Sequence, residues 1–151
     1  MEKLEVLRRA DVFQLLNEDE LKELAEMCAE EVFEPGTIIL KQNAPSERLY
    51  IIEEGLVSIN LEVSPLDVRQ IQAASNFQCI GWTSTIPPYK ALGTIKAIER
   101  TKVLAFHGKR LRALVYTKPA LTAKIAGGIA QAIAERLRRA YEQCVGVTYE
   151  D

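Results

Sequence analysis

Residues 33–59 read FEPGTIILKQNAPSERLYIIEEGLVSI. Pro35-Gly36 and Glu54-Gly55 are turn signals. Between and after them stand short runs rich in Ile, Leu, Val and Tyr, the side chains that suit a pleated, half-buried surface. Segments 37–41, 49–52 and 56–63 therefore read as strands. The same pattern continues toward the C-terminus, with strands expected at 68–74, 94–98 and 103–106 and Ser64-Pro65-Leu66-Asp67 as a connection. On either side of this region the hydrophobic period changes from 2 to 3.6.

Upstream, Asn17 and Glu20 have the spacing of a capping box. The Asn oxygen accepts the amide three residues on, and the Glu carboxylate reaches back. Leu21, Leu24 and Cys28 then lie on one helical face, with Ala25 between them, and the helix is expected to end near Glu31. Val6, Val12, Phe13, Leu15 and Leu16 suggest a shorter helix before it. Downstream, 109–116 reads as a short helix. Pro119 suits the first turn of a long one that runs to Cys144. The expected organisation is one domain over 1–151, with helices in 1–31, strands in 32–107 and helices in 108–144.

Composition narrows the function classes. The chain has 151 residues, 48% hydrophobic and 26% charged, with a net charge of -2, which is ordinary for a globular domain. Charge is unevenly spread. Residues 1–34 hold 4 basic and 11 acidic side chains, residues 35–117 hold 10 and 6, and residues 118–143 hold 5 and 2. No cluster is dense enough for a nucleic-acid footprint. No apolar run approaches the ~20 residues of a membrane span, and the first residues lack the apolar stretch of a signal peptide. Cys28, Cys79 and Cys144 are far apart and in no metal-ligand spacing, so neither a disulfide framework nor a zinc ribbon is expected. A reducing cytoplasm is the expected location. The single histidine, His107, reads as a polar helix start. No paired acid and base or nucleophile–base set lies at a sensible spacing, so catalytic residues, metal and cofactor are all expected to be none.

The quoted run, from Phe33 through Pro35-Gly36 to Leu49-Tyr50-Ile51-Ile52-Glu53-Glu54-Gly55-Leu56-Val57, resembles the first half of cyclic-nucleotide-binding domains. These are the sensor domains of catabolite-activator/FNR-type regulators and of cyclic-nucleotide-dependent kinases. Asn43 stands where the family has a second turn glycine, and Asn is the next-best residue for positive φ. Lys102-Val103-Leu104-Ala105-Phe106 and the paired helices after it are similar to the family's closing elements. The resemblance implies an α+β fold: a cyclic-nucleotide-binding-type β-roll, or double-stranded jelly-roll, with N-terminal helices and a long C-terminal helix.

It also implies a ligand cassette. In the family a Gly-Glu opens a short helix, the Glu accepting the ribose hydroxyl, and an Arg about ten residues on pairs with the cyclic phosphate. Aligned without gaps, the cassette here is Gly81, Trp82, Thr83, Ser84, Thr85 through Lys90, Ala91 and Leu92. Trp82 takes the Glu position and Ala91 the Arg position. Both polar anchors are missing, a change that typically costs about 2–5 kcal/mol of binding. Lys90 could pair with phosphate only after a one-residue slip, which would turn the next strand's side chains to the wrong face. Thr83, Ser84 and Thr85 either cap the short helix or hold a small anion. Trp82 either fills the vacated space or stacks on a flat ligand. The expected function is a ligand-sensing regulatory domain that does not bind cAMP or cGMP tightly. The alternative is a structural or protein-interaction module whose pocket Trp82 and Leu92 fill.

The long helix carries two apolar stripes. Ile125, Ile129, Ile133 and Leu137 form one, and the small residues Ala123, Gly127, Ala130 and Ala134 the other. Gly127-Gly128 inside a helix costs about 1 kcal/mol per glycine relative to alanine. A second backbone packed there would explain it, so a homodimer through this helix is expected. Arg136, Arg138 and Arg139 would face the second copy and oppose it weakly. Seven residues follow Cys144, too few for the winged helix-turn-helix of the family's regulators, so no DNA binding by that route is expected.

Overall fold

A computed structural model describes residues 1–146. Helices α1 (Lys3–Arg9) and α2 (Glu18–Met27) precede eight strands, and α3 (Gly108–Thr117) and α4 (Pro119–Cys144) follow them. The strands are β1 (Ala29–Phe33), β2 (Ile38–Leu40), β3 (Arg48–Glu54), β4 (Leu56–Ser64), β5 (Asp67–Ser75), β6 (Cys79–Ile80), β7 (Thr94–Ala97) and β8 (Thr101–His107). They form two antiparallel four-stranded sheets, ordered β1-β8-β3-β6 and β2-β7-β4-β5. This is the β-roll that the sequence led us to expect.

Strand periodicity divides the core in two. Successive side chains of a strand point to opposite faces. On β3, Tyr50 and Ile52 enter the space between the sheets, while Leu49 and Ile51 face the helices. On β8, Val103 and Ala105 go inward, and Leu104 and Phe106 go to the helical side. Phe106 meets Phe13 edge-on, with ring centroids 5.7 Å apart. Ile125 and Ile129 of α4 are buried in this second core together with Leu7, Leu24 and Leu111.

The helix starts are locally encoded. Asn17 Oδ1 accepts the Glu20 amide at 2.9 Å, and Glu20 Oε1 accepts the Asn17 amide at 2.9 Å, so the capping box is complete. Pro119 occupies the first turn of α4. Asn43 has φ +66°, the conformation expected of it.

Two strands were missed. The helix expected to reach Glu31 ends at Met27, and Cys28 is already extended. Residues 29–33 instead pair along β8, from Ala29↔Ala105 to Phe33↔Thr101. Strand structure thus starts three residues before the expected 31/32 boundary. The free edge of β8, a long-range partner, outweighs the local helical period. The other missed strand, β6, is only two residues long, paired Tyr50↔Ile80 and Ile51↔Cys79.

Candidate functional site: the loop between β6 and β7

The loop after β6 opens at Gly81, which has φ +75° and whose missing Cβ would overlap the carbonyl oxygen of Arg48. Only glycine meets both demands. A single 3₁₀ turn, Trp82–Thr85, follows. Its hydroxyls all have partners within the protein: Thr83 Oγ1 donates to Ser46 Oγ at 2.8 Å, Ser84 Oγ to the Gly81 carbonyl at 2.7 Å, and Thr85 Oγ1 to the Trp82 carbonyl at 2.7 Å. Further on, the Asn43 amide donates to the Ala91 carbonyl at 2.9 Å and the Ala91 amide to the Ala44 carbonyl at 3.0 Å. These bonds lock the register of residues 89–92 against residues 43–46.

That register decides where each sequence-singled residue lies. Gly81, Trp82, Thr83, Ala91 and Leu92 are brought together around a cavity of about 60 Å³ under the loop. Ala91 is buried in its wall, Trp82 is half-buried, and Leu92 is 68% exposed at its edge. Ser84 is wholly buried and Thr85 lies toward α3 and α4; neither lines the cavity. Lys90 is exposed, its backbone bridged to Pro45, and does not reach the cavity. Leu92 therefore edges the cavity from the bend before β7 and leaves most of its side chain exposed instead of filling the pocket.

The charged residue at this cavity is one that sequence reasoning put elsewhere. Arg136, expected to face a second copy of α4, instead turns toward its own β-roll. Its guanidinium donates to the Cys79 carbonyl, and its own carbonyl accepts Gln72 Nε2 at 2.9 Å. Asp11 stands nearby and accepts the Cys79 amide at 3.1 Å. Burial pushes the Asp11 carboxyl up, while Arg136 and the Cys79 amide pull the other way. The signal was available: Arg136 is seven residues after Ile129, on the helical face that α4 buries.

The stripes of α4 are also distributed differently. A Cβ on Gly128 would overlap the Val12 carbonyl, and one on Gly127 would lie 3.1 Å from Leu15 Cδ1. The two glycines thus admit the chain's own N-terminal segment rather than a second helix. Arg138 pairs with Glu135 and Glu142 of its own helix. What remains open is Ala130 and half-buried Ile133 beside a groove of about 210 Å³ toward α3, with Leu137 further along, 48% exposed.

Cys28 and Cys79 are buried and Cys144 is exposed. Burial pushes the Cys79 thiol far up. Among the described residues, no group of three or more His, Cys, Asp or Glu is placed to hold a metal ion, and no helix is long and apolar enough to cross a membrane.

Residues 30–118, from β1 through α3 and including the loop and every residue of the cavity wall except Arg136, match the family described as "Cyclic nucleotide-binding domain". The chain belongs to this family. A solved "Putative Cyclic nucleotide-binding protein" from Geobacter metallireducens is 26% identical to this cyclic nucleotide-binding domain, covering 91% of this chain and 99% of its own, with a TM-score of 0.79. A cyclic nucleotide-binding domain from Methylobacillus flagellatus is 19% identical, covers 99% and 84%, and has a TM-score of 0.83. A curated "Putative potassium channel protein" of Rhodopseudomonas palustris is 23% identical over 120 residues, 80% of this chain. The chain spans 29% of that relative's length.

Proposed function

We propose that this cyclic nucleotide-binding domain is a ligand-sensing regulatory module of the cytoplasm, without catalytic activity, whose cassette no longer holds cAMP or cGMP tightly. One observation carries the reading. The loop that in the family supplies a carboxylate and a guanidinium supplies neither here, since Trp82 and buried Ala91 stand at those positions. The cavity of about 60 Å³ is far below the ~300 Å³ at which small-molecule pockets begin. Calorimetric titration with cAMP and with cGMP tests it. The expected result is no saturation at micromolar nucleotide, and a low-micromolar Kd for either refutes it.

The smallness of the cavity also favours a second reading, a protein-interaction module with no ligand. A thermal-shift screen separates the two, because a ligand raises stability as RT ln(1 + [L]/Kd). A library that leaves the melting temperature unmoved supports the interaction module.

The module acts as a homodimer through α4. Ala123, Ala126, Ala130, Ile133, Leu137, Ala140 and Cys144 alternate in steps of three and four, the spacing of a coiled-coil seam, and none of them is fully buried. A bulky replacement of Gly127 cannot test this, because beyond its Cβ it would press on Leu15 of the same chain. Leu137→Glu can: sedimentation should show the parent as a dimer and the variant as a monomer, and a monomeric parent at about 100 µM refutes the dimer.

A further inference from the structure

Arg136 is the charged side chain that lines the cassette cavity. The other walls are Trp82, Ala91, Leu92, Ile59, Ile95 and Leu40, with two glycines and Thr83, whose hydroxyl is already donated to Ser46. The space is therefore largely apolar, and Arg136, on its α4 side, is the one charged residue of its wall. A guanidinium has five N–H donors, and a single one is used on the Cys79 carbonyl. The same side chain also borders a groove of about 260 Å³ lined by Asp11, Gln78 and Glu135. Asp11 lies on the groove side and not in the cavity wall, so its charge acts on Arg136 from the groove and takes up no space in the cavity.

We propose that the cavity binds a monocarboxylate with an apolar body, and that Arg136 of α4 is its anion anchor. This inference rests on the sensing reading above and names the ligand class of that site. The donor inventory selects the class. A cyclic nucleotide brings a phosphate and a ribose that one guanidinium cannot satisfy between apolar walls, whereas a carboxylate needs one planar fork, which arginine matches in two parallel bonds. The cavity takes the carboxylate, and the apolar body lies toward half-buried Trp82 and the open edge at Leu92. The anchor sits on the helix and not on the loop. Occupancy therefore bears directly on how α4 is held, because Arg136 is also tied to β6 through Cys79 and to β5 through Gln72.

Trp82 is the only tryptophan of the chain, so its fluorescence reports this cavity. Titration with phenylacetate is expected to change that emission and to raise the melting temperature, with the neutral isostere phenylacetamide about tenfold weaker or worse. Arg136→Gln is expected to weaken phenylacetate by about tenfold or more and to leave the amide unchanged, and Arg136→Lys to fall between. Ala91→Leu fills the cavity while keeping the guanidinium, so it should also abolish the fluorescence response. It keeps the test decisive if Arg136→Gln does not fold. Equal binding of acid and amide, an Arg136→Gln variant with parental affinity, or no response of the parent to phenylacetate overturns the proposal. A neutral library hit alongside silent carboxylates overturns it and leaves the sensing reading standing. A library silent throughout overturns both.

Discussion

Gly128 of α4 lies against the carbonyl of Val12, so close that no Cβ fits between them. Gly127 next to it meets only the end of the Leu15 side chain, at 3.1 Å from where its Cβ would stand. Two adjacent glycines in one helix thus have different consequences. Alanine gains about 1 kcal/mol of helix propensity at either position. At Gly127 the flexible Leu15 terminus yields, so Gly127→Ala should be neutral or stabilising by up to ~1 kcal/mol. At Gly128 the obstacle is backbone, and overpacking of this kind costs about 1–3 kcal/mol, so Gly128→Ala should destabilise. Urea unfolding of the two variants checks the difference in sign.

The capping box at Asn17 is a second stability handle. Asn17→Ala removes the acceptor for the Glu20 amide and should cost about 0.5–2 kcal/mol. Glu20 also holds Lys124 of α4 at 2.8 Å, so Glu20→Ala should loosen both the cap and the docking of α4. Hydrogen exchange of the α2 amides should rise in both variants, and of the neighbouring α4 amides only in Glu20→Ala.

Glu53 gives the fold an acid sensitivity. It is 7% exposed. Burial alone would raise its carboxyl, but the Lys102 ammonium at 3.1 Å and the chain's N-terminal ammonium at 3.2 Å outweigh burial and hold it below the ordinary carboxylate range. A depressed folded-state value means that the stabilisation is complete above the unfolded carboxyl value and fades as pH falls through the folded one. The melting temperature should therefore drop on acidification below about pH 4.5, and Glu53→Gln should flatten that slope while lowering stability at neutral pH. An unchanged slope in Glu53→Gln would assign the acid transition to other carboxylates.

Restoring the cassette should restore the family ligand. Ala91→Arg combined with Trp82→Glu places a guanidinium and a carboxylate at the two positions that lack them, and calorimetry should then detect cAMP where the parent is expected to show no saturation. At about 60 Å³ the cavity must also widen for the nucleotide to enter. A folded double variant that stays silent would count against the register assigned to the loop.

Thiol chemistry should follow burial. Cys144 should react with a maleimide or disulfide reagent in the native state, while Cys79, wholly buried and with its thiol held protonated, should react only on unfolding. If α4 pairs in parallel, oxidation should cross-link Cys144 between copies, and Leu137→Glu should suppress the cross-link.

Much of the molecule is written in local pattern. Strand alternation at Leu49-Tyr50-Ile51-Ile52 assigns each residue to one of two cores, the Asn17–Glu20 spacing starts α2, Pro119 starts α4, and Gly36, Asn43 and Gly55 turn the chain. The absence of charge at positions 82 and 91 is equally plain from sequence, because it needs only the register of the loop. What the pattern could not supply was the partner of each face. A hydrophobic period says that a side of an element is covered, not by what. Residues 29–33 became a strand because β8 offered a free edge. Gly127 and Gly128 admit residues 12–15 of the same chain. Arg136 reached the cassette cavity because burying Ile125 and Ile129 fixes the rotation of α4, and that rotation turns a residue seven positions further along toward β6. These outcomes depend on contacts between segments far apart in the chain, and only the tertiary structure decides them.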